Sequence, residues 1–153
     1  MAKKYFKFVS AVYLFLIRDD HILLLRRANT GYEDGKYSLP AGHIEGKERA
    51  TRAMIREAEE EIGIEVDEQQ LHMVHVMHRI SPGTHPSGCD ERIEFFFEAT
   101  AWSGEPRNME VNKCDDVRFF PINQLPHNII PYIAAAIEAY KKKSLFSEFG
   151  WKR

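Results

Sequence analysis

The chain is expected to fold as an α/β protein, a mixed β-sheet sandwiched between α-helices. Three observations lead to that class. Short segments rich in Val, Ile, Phe and Tyr read as strands. Two longer segments carry helical periodicity, one in mid-chain and one near the C-terminus. No repeat, low-complexity tract or linker separates them, so the 153 residues are expected to form one domain over 1–153 with a single core.

Taken in order, Phe8 to Ile17 is an apolar run of strand composition, and Arg18-Asp19-Asp20 supplies a turn. His21 to Arg27 reads as a second strand, which predicts a hairpin with the first. Asn29 to Lys36 is a Gly- and Asp-rich loop, and Tyr37 to Pro40 is extended because a residue before proline avoids the α region. A loop at Gly42 leads into a helix beginning near Lys47 or Glu48 and ending at Gly63, whose position suits a C-terminal cap. Leu71 to Ile80 is a strand with His72, Val74, Val76 and His78 on one side. After a loop over Ser81 to Glu91, Ile93 to Trp102 has an apolar centre and is expected in mid-sheet. A polar loop over Ser103 to Asp116 precedes a short strand at Val117 to Phe120. Ile129 to Lys143 is an amphipathic helix ending in lysines, which suit the negative end of a helix dipole. The terminal LFSEFGW segment either packs back on the domain or forms a subunit contact, so a homodimer stays open.

Composition removes several function classes. A net charge of −2 argues neither for nucleic acid nor for a membrane surface. The apolar run after Lys3 and Lys4 is too short to span a bilayer, and no small-residue cleavage site follows it. Cys89 and Cys114 lie in no CxxC pair, which points to ordinary thiols in a reducing cytoplasm. His72, His75 and His78 alternate faces on a strand, so a zinc site there is not expected.

The stretch Gly42 to Ile64, GHIEGKERATRAMIREAEEEIGI, concentrates the chemistry. At about 100° per residue, Glu57, Glu60 and Glu61 fall within an arc of roughly 100° on one helix face. Thr51, Ile55, Ala58 and Ile62 fall together on the other side as a stripe for the core. A Glu-rich helix taken alone is an ordinary solvated face. Like charges at these spacings nevertheless repel, and hard divalent cations relieve such clusters through carboxylate oxygens.

The spacing across this stretch resembles the signature of the Nudix hydrolases, MutT-like in type. Gly42 is followed after five residues by Glu48, and after seven more by Arg56-Glu57-Ala58-Glu59-Glu60-Glu61-Ile62-Gly63-Ile64. Two positions depart from the usual pattern. Ala58 stands where a larger aliphatic is common, which thins the packing under the helix. Ala41 stands where the family often has a second glycine.

The resemblance implies a Nudix fold with its signature box at 42–64. It also implies Mg²⁺- or Mn²⁺-dependent hydrolysis of a nucleoside diphosphate linked to another group, X. It carries over Glu57, Glu60 and Glu61 as metal ligands, with Glu57 or Glu60 doubling as the base. The Gly42 carbonyl is a further ligand, and one acid comes from a late loop: Glu110 is the choice, against Glu105, Asp115 and Asp116. Arg27 matches a position that contacts substrate phosphate, a task a guanidinium suits. Glu48 and Arg56 are expected to pair and brace the loop against the helix, and Gly42 and Gly46 to let that loop turn tightly. His43 occupies a variable position in the loop.

The preferred substrate is a nucleoside triphosphate, released as monophosphate and pyrophosphate. Nucleotide sugars, ADP-ribose and dinucleoside polyphosphates are the alternatives, and a non-catalytic nucleotide-binding module is a competing class. No stable nucleic-acid partner is expected, since the lysine run at 141–143 reads as a helix C-terminus and not as a nucleic-acid patch. Tyr32, Tyr37, Phe119 and Phe120 are unranked stacking partners for the base.

Overall fold

The structure is a computed structural model that describes residues 1–81 and 91–152. Cys89 and most of the expected 81–91 loop lie outside them.

Nine strands and two α-helices are formed among the described residues. The larger sheet is mixed and contains β1 (Val9–Phe15), β5 (Ala41–His43), β6 (Leu71–Ile80), β7 (Glu91–Ala99) and β9 (Phe146–Phe149), in the order β5-β1-β7-β6-β9. The smaller is antiparallel, with β2 (Ile17–Arg18), β3 (His21–Arg27) and β4 (Tyr37–Ser38) in order, and β8 (Cys114–Pro121) on the other edge of β3.

Alternation along β1 shows why the larger sheet needs two helices. Val12 and Leu14 join Ala53, Met54, Ala58 and Ile62 of helix α1 (Ala50–Ile62) in one apolar cluster. Ala11, Tyr13 and Phe15 join Tyr132, Ile133, Ala136 and Ile137 of helix α2 (Pro131–Lys141) in the other. A strand with period-two side chains and no solvated face must be covered on both sides. The layering is therefore α/β/α around the larger sheet, as expected. The apolar β7 stands in its centre.

Several local expectations are corrected. The N-terminal hairpin is short: the pairs Ile17↔Ile22 and Arg18↔His21 and a bond from Leu23 N–H to Leu16 O at 3.0 Å, closed by Asp19 and Asp20 at φ 51° and 58°. β1 itself pairs with β5 and β7, because its two buried faces place it inside a sheet. Helix α1 starts at Ala50, not at Lys47 or Glu48. Lys47 is left-handed at φ 61°, and Glu48 is held by the loop through the Glu45 amide at 3.1 Å. Gly46 is not the tight turn, since the positive φ falls on its neighbour Lys47.

The buried stripe of α1 is rotated from the expected one. Ala53 and Met54 are buried with Ala58 and Ile62, whereas Thr51 and Ile55 are half-buried. Thr51 donates its hydroxyl to Glu68 at 2.8 Å, which draws it out of the core. β8 begins at Cys114, three residues before the expected Val117, because β3 offers a paired edge as far as Arg27. Helix α2 begins at Pro131, whose missing amide is tolerated in a first turn, after an extended Ile130. Gly63 caps α1 in the left-handed region at φ 68°, as expected.

The C-terminal segment packs back on the domain. β9 runs parallel to β6, and Phe149 reaches the α2-side cluster. His75 clamps this return from within the sheet, with Nδ1 2.7 Å from the Ser144 carbonyl and Nε2 2.7 Å from the Ser147 hydroxyl. No described helix is long and apolar enough to cross a membrane.

Candidate active site

A cavity of about 620 Å³ opens where the end of β3, the β5 loop and the C-terminal half of α1 meet. Arg27, Gly42, Glu57, Glu60, Glu61 and Glu110 all line it. Helical spacing brings the three α1 glutamates together, but Glu110 arrives through tertiary structure. The 105–110 loop caps the free carbonyls at the end of α1: Arg107 N–H donates to Ile62 O at 3.0 Å and Met109 N–H to Glu61 O at 3.1 Å. Glu110 follows directly and is thereby held beside Glu61. The competing acids are engaged elsewhere. Glu105 forms a two-point pair with Arg18, Asp115 pairs with Arg26 at 2.7 Å, and Asp116 bonds Tyr37 and Arg118.

Arg56 is the hub of the helix-to-loop contact. Its Nε and Nη2 take both oxygens of Glu48 at 2.8 and 2.9 Å, Nη2 also reaches the His43 carbonyl at 3.2 Å, and Nη1 donates to Glu57 at 2.8 Å. Glu60 lies 3.4 Å from the same Nη1. The hydrogen bond from Arg56, with one from the Glu45 amide, lowers the Glu48 pKa to about 2. Gly42 is required by contact and not by dihedral angle, because a Cβ there would lie 2.0 Å from Glu57 Cδ. Ala41, the position that departs from the family pattern, donates its amide to Glu61 Oε2 at 2.9 Å.

The electrostatics of the acids differ from those of a solvated face. Desolvation raises the Glu57 pKa against the pull of Arg56, and repulsion from Glu60 and Glu110 adds to the rise. Glu61 is pushed well above the usual carboxylate range by burial, opposed by the Ala41 amide and reinforced by Glu57 and Glu110. As the side chains stand, no three acidic, His or Cys groups among the described residues form a ready metal cage. The reason is visible in the bonds above: Glu57 and Glu60 are turned onto Arg56, and Glu61 onto an amide. The donors are still hard carboxylate oxygens in a mutually repelling cluster, the set a divalent cation takes.

Arg27 lines the cavity, tethered by its neighbouring loop. Nε donates to Tyr32 O at 2.8 Å and Nη2 to Thr30 Oγ1 at 3.1 Å. Beyond it lies a second cavity of about 360 Å³, which shares Arg27, Thr30, Ser38, Ala41, Gly42 and His43 with the first. Of the four aromatic residues noted in the sequence, Tyr32 lines this second cavity. Tyr37 is buried with its hydroxyl on Asp116, Phe119 lies under Arg18, and Phe120 packs edge-on against Tyr37.

Sequence reasoning missed a buried ionic cluster under that second cavity. Arg79, Arg92 and Glu94 are 2%, 3% and 0% exposed. Arg92 and Glu94 both precede the apolar centre of β7, and their charge hides their burial in the sequence. Their shared face with Phe96 at period two was the available signal. His43 touches this cluster, and burial followed by the nearby Arg92 charge lowers its pKa.

A family model of the NUDIX domain matches residues 7–141. The chain belongs to the Nudix hydrolase family. Among curated relatives of this Nudix chain is an ADP-ribose pyrophosphatase of Methanocaldococcus jannaschii, 31% identical over 112 residues. The match covers 71% of this chain and 59% of that protein, so the Nudix chain spans less than two thirds of the relative's length. The crystal structure of a MutT NUDIX hydrolase from Burkholderia pseudomallei superposes with a TM-score of 0.76 at 28% identity, covering 86% of this chain and 97% of that one. A MutT protein from Methanosarcina mazei gives 0.73 at 17% identity, over 89% and 94% of the two chains, and speaks for the Nudix fold alone.

Proposed function

We propose that the protein is a divalent-metal-dependent hydrolase of the pyrophosphate link in a nucleoside diphosphate joined to X, with a nucleoside triphosphate as substrate. The observation that carries this reading is the convergence of four glutamates, Gly42 and Arg27 on one cavity of nucleotide size. Glu57, Glu60, Glu61 and Glu110 would hold Mg²⁺ or Mn²⁺, with the Gly42 carbonyl as a further oxygen donor. When bound, the cation supplies charge neutralisation at the phosphates and a more acidic water. The protein's own part is to position and to move a proton. Glu57 or Glu60 takes a proton from the attacking water as its oxygen bonds to phosphorus, and the anhydride P–O bond breaks toward the leaving pyrophosphate. Arg27 faces the phosphates from β3, and its tether to Thr30 and Tyr32 limits the entropy lost on binding.

ADP-ribose is the second reading, favoured by the name of the Methanocaldococcus jannaschii relative. A panel of nucleoside triphosphates, nucleotide sugars and ADP-ribose with Mg²⁺, compared by kcat/KM, separates the two. Absence of turnover across the whole panel would sink the enzymatic reading. Glu60→Gln should cost several kcal/mol of transition-state stabilisation. Turnover within about twofold of the parent would remove Glu60 from the site.

A further inference from the structure

The larger sheet is covered unevenly. On its α1 side, Val12 and Leu14 of β1 are buried under the helix, which packs against β1 and β5. Farther across that face, Val76 of β6 is the register partner of Phe95, which packs on the same cluster, and of Phe146 in β9. Phe146 and Glu148 therefore share this face, and both are exposed. Met73 belongs to it as the partner of the buried Phe97. The two ends of the chain lie across it. Phe8 meets His78 edge-on with ring centroids 5.4 Å apart, Phe6 meets Phe8 at 5.1 Å, and the Trp151 ring lies 4.7 Å from His78.

Phe6, Phe8, Met73, Phe146 and Trp151 are between 39% and 66% exposed. At about 200 Å² per large side chain they leave on the order of 500 Å² of apolar surface. A stable interface buries about 800 Å² on each partner, roughly two thirds of it apolar between identical subunits, so the patch has the size one needs. Charge selects the occupant. Lys4 and Lys7 lie in the N-terminal segment and Glu148 on β9, all exposed and none with an ionic partner among the described residues. A polyanion drawn to the lysines, whether nucleic acid or an acidic membrane surface, would be repelled by Glu148. A second copy answers both signs, because a two-fold interface sets a patch against itself. His78 lies between the two charges, touching Phe8 through its ring and Glu148 through the strand register. A two-fold axis near His78 brings the lysines of one copy onto Glu148 of the other.

We propose that this face docks a second copy of the same chain. Phe8, Phe146 and Trp151 form the apolar centre of a symmetric dimer, and Lys4 and Lys7 of each copy pair with Glu148 of the other. The C-terminal segment thus packs on its own domain and makes the subunit contact as well. None of these residues lines either cavity, so association and hydrolysis can be tested apart.

Sedimentation equilibrium of the intact chain at micromolar concentrations tests this, and twice the chain mass is expected. Phe146→Ser and Glu148→Lys should each raise the dimer dissociation constant at least about tenfold. Reversing both signs, with Lys4→Glu, Lys7→Glu and Glu148→Lys together, should return it to within about threefold of the parent. Circular dichroism establishes that the variants are folded. A second arm needs no substitution: carbodiimide coupling of a mixture of light and heavy-isotope-labelled protein should join Glu148 of one copy to Lys4 or Lys7 of the other. A chain that stays monomeric throughout overturns the proposal. So does a dimer whose dissociation constant neither Phe146→Ser nor Glu148→Lys moves, or one whose cross-links leave out Glu148. A monomer that instead pellets with phosphatidylserine vesicles, or binds single-stranded RNA, also overturns it by giving the face to another partner.

Discussion

Gly42 and Glu57 are in such close contact that a Cβ on residue 42 would lie 2.0 Å from the Glu57 carboxyl carbon. The neighbour that would have to move is the end of a flexible side chain, and Gly42 has no left-handed φ to strain. Gly42→Ala should therefore fold almost normally, with a melting midpoint within a few degrees of the parent, while Glu57 is displaced. We expect kcat/KM to fall at least tenfold, about 1.4 kcal/mol. A variant with parental activity would mean that the position of Glu57 is not needed for turnover.

Mg²⁺ should stabilise the protein in a pH-dependent way. Burial raises the Glu57 and Glu61 pKa values, with neighbouring acids adding to the effect, so the folded state binds more protons than the unfolded one above the ordinary value of 4.5. The ion-free protein therefore loses stability from these groups as pH rises through their raised values. A cation bound there removes that repulsion and competes with protons. At one fixed concentration, a hundred times its dissociation constant at pH 8, it should raise the melting temperature by roughly 5–10 °C at pH 8, and by less at pH 5. A shift that is absent, or equal at both pH values, contradicts the carboxylate site.

Arg56→Lys keeps a charge but cannot take both oxygens of Glu48 while also bonding Glu57 and the His43 carbonyl. Chemical denaturation at pH 7 should show a loss of about 1–2 kcal/mol. The Glu48 carboxyl titrates at about 2 in the folded protein, below its ordinary 4.5. Its stabilising contribution is thus complete above 4.5 and lost as pH falls toward 2. The gap between parent and variant should narrow over that window. A constant gap would show that the loss is one of packing alone.

Gly150 ends β9 at φ 85°, and a Cβ there would meet the Ile80 carbonyl oxygen at 2.1 Å. Here the neighbour is backbone and cannot swing aside. Gly150→Ala should cost about 1–3 kcal/mol and speed amide exchange along β9, with α1 little affected. Unchanged exchange at Phe146 and Phe149 would contradict the seating of this segment on β6.

The period-two and 3.6-residue patterns made the α/β/α layering readable, because burial on both faces of β1 and β7 leaves a continuous apolar run. The acidic face of α1 was readable for the same reason: helical geometry places Glu57, Glu60 and Glu61 together whatever surrounds them. The Glu48–Arg56 pair rested on the signature spacing, and the structure has the two side chains in contact.

What sequence alone left open were relations between distant segments. Glu110 could not be separated from Glu105, Asp115 and Asp116, because the choice depends on which loop residues cap the carbonyls of α1. The hairpin was overextended because partner choice for β1 is decided by β7, some eighty residues away. The Arg79–Glu94–Arg92 cluster was hidden, because charged residues on a strand read as solvated until a helix covers that face. Local periodicity determined the elements and the acidic helix. Only tertiary packing decided which buried cation lines the second cavity, since burying a charge depends on partners the chain must fold to supply.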